Sequence, residues 1–107
     1  MSSTTLAAAP EGLEAKAAQV ADILRAIANE RRLLLLCHLA QAGEASVGAL
    51  AEMLQLSQPA VSQHLARMRE EGLVTHRREA QTMYYRIDDP RVRRLLETLQ
   101  ELYCQPD

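Results

Sequence analysis

Two short helical segments with almost nothing between them constrain this 107-residue chain more than any other feature. Over residues 47–54, Val47, Leu50, Ala51 and Leu54 fall at i, i+3, i+4 and i+7, which is one apolar face of a short helix. Ser46 precedes that segment as an N-cap, and Gln55-Leu56 is the whole connection to the next one. There Ser57 is placed to cap, and Pro59 falls in the first turn, where a missing N–H costs little. Val61, Leu65 and Met68 then recur at i, i+4 and i+7 as a second buried face. Two short helices joined this tightly predict a helix-turn-helix.

The other face of the second helix carries Gln58, Ser62, Gln63 and Arg67, with His64 at its border. Such side chains reach base edges or nearby phosphates: amides pair naturally with adenine, and serine is permissive. This reads as a recognition helix, with Ser57, Gln58, Ser62, Gln63, His64 and Arg67 as its candidate DNA-contacting residues. The formal net charge of −2 argues against a chain that is basic overall, but the distribution is uneven. Residues 61–94 hold eight arginines against five acidic residues, so the basic stretch is local.

Toward the N-terminus, residues 1–10 are Ser/Thr/Ala-rich and uncharged, without the basic start and long apolar run of a signal peptide. A mobile tail is expected over 1–11 and one domain over 12–107. No segment is long enough to span a membrane, so the expectation is a cytoplasmic protein. In that setting its two cysteines are not expected to form a constitutive structural disulfide; they are either inert thiols or reactive ones. Aromatic residues make up 3% of the chain, so the core must be Leu, Ala, Val, Ile and Met. That suits packed helices, and a core this small gains from a partner chain.

Leu13, Ala17, Val20, Leu24 and Ile27 predict a first helix with one apolar stripe. Asn29 caps a second, with Glu30 favourable in its first turn, Leu33-Leu34-Leu35-Leu36-Cys37 central to the core and Gly43 ending it. Residues 44–46 form either a short strand or a turn. Beyond the recognition helix, Gly72 is the stop, and residues 73–78 and 82–87 read as strands, with Met83, Tyr85 and Ile87 facing inward. Glu79-Ala80-Gln81 is the hairpin tip, flanked by Arg77, Arg78 and Arg86; Arg77 and Arg78 are candidates for phosphate or minor-groove contact. Asp88-Asp89-Pro90 opens a last helix with the stripe Val92, Leu95, Leu96, Leu99, Leu102 and Tyr103. The expected fold is a mainly α winged helix-turn-helix, α-α-(β)-α-α-β-β-α, in a single domain.

Four motifs in this order resemble the ArsR/SmtB winged-helix repressors: residues 27–36 (Ile-Ala-Asn-Glu-Arg-Arg-Leu-Leu-Leu-Leu), residues 56–65, Glu71-Gly72-Leu73-Val74 and Tyr84-Tyr85-Arg86-Ile87. The resemblance covers residues 13–104. It implies a homodimer built through the first and last helices, a palindromic double-stranded operator and a repressor released by an inducer. The half-sites would lie about 34–36 Å apart. The family's usual metal sites are missing: Ser46-Val47-Gly48-Ala49-Leu50-Ala51 stands where the thiolate motif would be, and residues 90–104 contain no His. No metal or cofactor is therefore expected.

The remaining cysteines, with residues 78–85 and 99–104, resemble the BigR/SqrR/HlyU branch, which places one cysteine on each of two helices and senses persulfides and polysulfides. By that resemblance Cys37 and Cys104 are the redox switch and reactive sulfur species the inducer. Local sequence supplies neither thiol with an activating neighbour. Three other readings are a metal-responsive repressor using a non-standard Cys/His site, a small sulfur-transfer enzyme, and a winged-helix protein-interaction module, the last disfavoured by the polar recognition face and the wing arginines. The missing Cys-x-x-Cys and βαβ pattern argue against the enzyme.

Overall fold

The computed structural model describes residues 11–104, so the tail expected over 1–11 lies, up to residue 10, outside the described residues. In chain order the elements are α1 (Glu11–Ile27), α2 (Glu30–Ala42), β1 (Ala45–Ser46), α3 (Val47–Leu54), α4 (Gln58–Glu70), β2 (Val74–Glu79), β3 (Thr82–Ile87) and α5 (Pro90–Tyr103). This is the expected winged helix-turn-helix. Residues 45–46 settle as strand rather than turn, because they pair antiparallel with Tyr85 and Tyr84.

Side-chain caps set where the helices begin. Asn29 Oδ1 accepts from the backbone N–H groups of Arg31 and Arg32, both at 3.1 Å. Ser46 Oγ accepts from Ala49 N at 3.1 Å, Ser57 Oγ from Ala60 N at 3.2 Å, and Asp89 Oδ1 from Arg91 N at 2.8 Å. Each satisfies donors that the first helical turn leaves without a partner.

The far end of α4 closes in a Schellman motif. Leu73 N donates to Met68 O at 2.9 Å and Gly72 N to Arg69 O at 3.0 Å, with Gly72 at φ 82°. Leu73 is therefore part of the turn, and β2 starts at Val74, one residue later than its sequence suggests.

The sheet order is β1-β3-β2, all antiparallel. Because Glu79 pairs with Thr82, the hairpin tip narrows to Ala80-Gln81. Ala80 adopts φ 56°, a left-handed conformation that crowds Cβ against the backbone. Ala80→Gly should therefore raise stability by up to about 1 kcal/mol, read as a higher urea midpoint at unchanged m-value. A lower midpoint would show that the turn tolerates the alanine without strain.

Leu35, Leu36 and Leu39 of α2 form the centre of the core. They are joined by Leu50 of α3, Val61, Leu65 and Met68 of α4, Tyr85 and Ile87 of β3, and Val92 and Leu96 of α5. α1 contributes only Ala26 and Ile27 to the fully buried set; Leu13 and Leu24 are about half exposed, at 52% and 49%. Leu102 and Tyr103 at the end of α5 are likewise exposed. Most of the α1 stripe and the end of the α5 stripe thus have no cover within one chain.

Candidate nucleic-acid interface and thiol pair

Burial divides α4 as the apolar spacing requires. Val61, Leu65 and Met68 are fully buried, while Ser57, Gln58, Ser62, Gln63 and Arg67 are exposed on the other side. The wing lies beside the start of this helix: Gln58 shares an open groove of about 320 Å³ with Gly48, Gln81 and Thr82. The start of the exposed face of α4 and the hairpin tip therefore share one continuous surface.

His64 is half-buried at the edge of that face. Burial first, then the charges of Arg32 and Arg31, hold its imidazole below its ordinary pKa, so it is neutral near pH 7. A neutral ring offers one donor and one acceptor. The same field shows that Arg31, exposed at the start of α2, adds a cation beside the recognition helix. Sequence reading passed over Arg31; the available signal was its place two residues after the Asn29 cap.

The two wing arginines differ. Arg78 is exposed and forms no ion pair among the described residues. Arg77 is engaged: Nε donates to Glu44 Oε2 and Nη2 to Glu44 Oε1, both at 2.8 Å, while Nη1 donates to Glu79 Oε1 at 3.2 Å. These carboxylates raise the Arg77 pKa further, and its guanidinium in turn holds Glu44 below the usual carboxylate range. Nothing in the local sequence connects Glu44 to the wing.

Behind this surface, α2 and α5 make the most extensive helix–helix contact among the described residues. Cys37, half-buried on α2, and Cys104, exposed as the C-cap of α5, are both free thiols. Gln100 lies between them: its Nε2 donates to the Cys37 carbonyl at 3.0 Å, and its own carbonyl accepts from Cys104 N at 2.8 Å. One helical turn, about 6 Å of rise, separates Gln100 from Cys104. The fold thus packs the two cysteine-bearing helices together, with the Gln100 side chain on the Cys37 backbone one turn before Cys104. Gln100 is a residue the sequence did not single out. Among the described residues, no three His, Cys, Asp or Glu side chains converge on a common point where a metal ion would sit. No described helix is long and apolar enough to cross a membrane.

A capped helix-turn-helix that turns a polar face, with its one acid Glu70 in the last turn, outward beside an arginine-bearing hairpin defines a DNA-binding regulator of the winged-helix class. Residues 29–76 match the arsR family of bacterial regulatory proteins. The chain is 48% identical over 93 residues to the transcriptional activator HlyU of Vibrio cholerae, spanning 87% of this chain and 85% of that protein. Its structure is similar to that of the transcriptional repressor BigR from Xylella fastidiosa, with TM-score 0.81 and 34% identity over 90% of this chain and 97% of that one. It is also similar to a homodimeric winged helix-turn-helix DNA-binding domain from Mycobacterium bovis, with TM-score 0.72 and 38% identity over 87% and 85% of the two chains. The chain belongs to the ArsR family. It is a DNA-binding transcriptional regulator and not an enzyme, which removes the sulfur-transfer reading.

Proposed function

We propose that this regulator is a homodimeric repressor of a palindromic operator, released when reactive sulfur species link Cys37 to Cys104. The observation that supports the reading is the packing of α5 along α2, one cysteine on each, where Gln100 Nε2 donates to the Cys37 carbonyl one turn before Cys104. The exposed apolar residues of α1 (Leu13, Val20, Leu24) and of the end of α5 (Leu102, Tyr103), and the homodimeric relative, support pairing of two chains through those helices. Ser57, Gln58, Ser62, Gln63, His64, Arg67 and Arg78 then contact DNA, two recognition helices meeting half-sites about 34–36 Å apart.

The chemistry balances with a low-molecular-weight persulfide as oxidant. One thiolate takes the terminal sulfur of RSSH and expels RSH. The second thiolate attacks the inner sulfur of the new protein persulfide, forming a disulfide and releasing H2S. Further persulfide equivalents lengthen the bridge. A bridge between α2 and α5 favours a second arrangement of the dimer in which the recognition helices no longer match the half-site spacing. Losing that match has to remove about 4–10 kcal/mol, the usual gap between specific and non-specific binding.

The test uses reduced protein on a duplex that it selects from randomised DNA. Glutathione persulfide should release wild type, with intact mass showing an intramolecular bridge, while Cys37→Ser and Cys104→Ser stay bound. Equal release of both variants by persulfide would overturn the thiol switch. Zinc-driven release of the doubly substituted chain would establish the metal reading instead.

A further inference from the structure

We propose that Arg77 is a wing-positioning residue, locked by Glu44, and that the neighbouring Arg78 is the wing's contact to the DNA backbone. The two side chains leave β2 on opposite faces, because successive residues of a strand alternate. The fork of Arg77 is filled by both oxygens of Glu44, and its remaining terminal nitrogen by Glu79. Its flat face lies 4.8 Å from the ring centroid of Tyr84, its cross-strand partner on β3. A phosphate reaching this guanidinium would have to displace one carboxylate and approach another, both repulsive.

Glu44 stands between the Gly43 cap of α2 and the two-residue strand β1. Among the described residues β1 is the only strand that ties the hairpin to the helix-turn-helix, and it does so through the pairings Ala45↔Tyr85 and Ser46↔Tyr84. Two pairings leave the angle of a hairpin loosely defined. A bidentate ion pair to the outer strand adds a second, geometrically specific attachment on the far side of β3. Exposed ion pairs add little to stability, and here the side chains are 44% and 31% exposed, so the effect is on wing angle more than on folding. Arg78 has no competing partner among the described residues and is free to meet a phosphate.

The experiment measures affinity for the selected duplex across a salt series by fluorescence anisotropy, with circular dichroism confirming the fold. Arg78→Ala should lower the slope of log affinity against log salt by about 1, as loss of one phosphate contact does. Arg77→Ala should weaken binding by about fivefold with the slope unchanged. Arg77→Glu should bind worse still, and adding Glu44→Arg should restore affinity to that of Arg77→Ala or better, since the swapped pair rebuilds the lock. A slope reduced in Arg77→Ala, or a swap no better than Arg77→Glu alone, would overturn the proposal. If the swap does not fold, Glu44→Gln decides: reduced affinity at unchanged or steeper slope supports the lock, and unchanged or tighter binding overturns it.

Discussion

Leu65→Ala is expected to lower the unfolding free energy by about 2–5 kcal/mol, the cost of removing a buried leucine side chain from a core that relaxes only partly. Leu65 is fully buried between Val61 and Met68 on the inner face of α4. It therefore does two jobs: it fills the core, and it fixes the rotation that turns Ser62 and Gln63 outward. Domains of this size have only about 5–15 kcal/mol of stability in total, so DNA binding should fail well below the wild-type melting temperature. Urea denaturation at one fixed protein concentration measures the loss, because a dimer's stability depends on concentration. A change below about 1 kcal/mol would mean that the site collapses around the smaller side chain and that α4 is held mainly by its caps.

Gln63→Ala is the second large effect, and it separates recognition from simple attachment. Gln63 is exposed in the middle of α4, one residue after Ser62 and at a safe distance from the buried stripe. Its amide offers a donor and an acceptor together, the pattern that adenine matches in the major groove. Truncation should weaken binding to the selected duplex by ~1–3 kcal/mol, with binding to an unrelated duplex and the salt slope nearly unchanged. An equal loss on both duplexes would move Gln63 from base reading to backbone contact. No loss on either would show that the register of the recognition helix on DNA is different.

The wing shows why neighbouring residues of one type need not share a job. Arg77 and Arg78 are indistinguishable by composition, and the sequence assigns both to DNA. Glu44, which separates them, lies 33 residues from Arg77 along the chain and reaches it only because β1 lies against β3. Gln100 is 63 residues from Cys37 and has no pattern of its own; it matters because α5 packs along α2. Both relations are long-range, and spacing rules see only a few residues at a time.

What the sequence determined by itself is everything that local physics decides. Helix starts follow from Asn29, Ser46, Ser57 and Asp89 accepting from backbone N–H groups two or three residues on. The buried and exposed faces of α4 follow from the period of the helix, and the turn into the wing follows from Gly72, which takes a positive φ without cost. The tertiary structure alone decided which arginine is occupied, that the two cysteine-bearing helices pack together and which apolar residues are left exposed. Those depend on side chains meeting from distant parts of the chain, and only the packing of α1, α2, the wing and α5 brings them together.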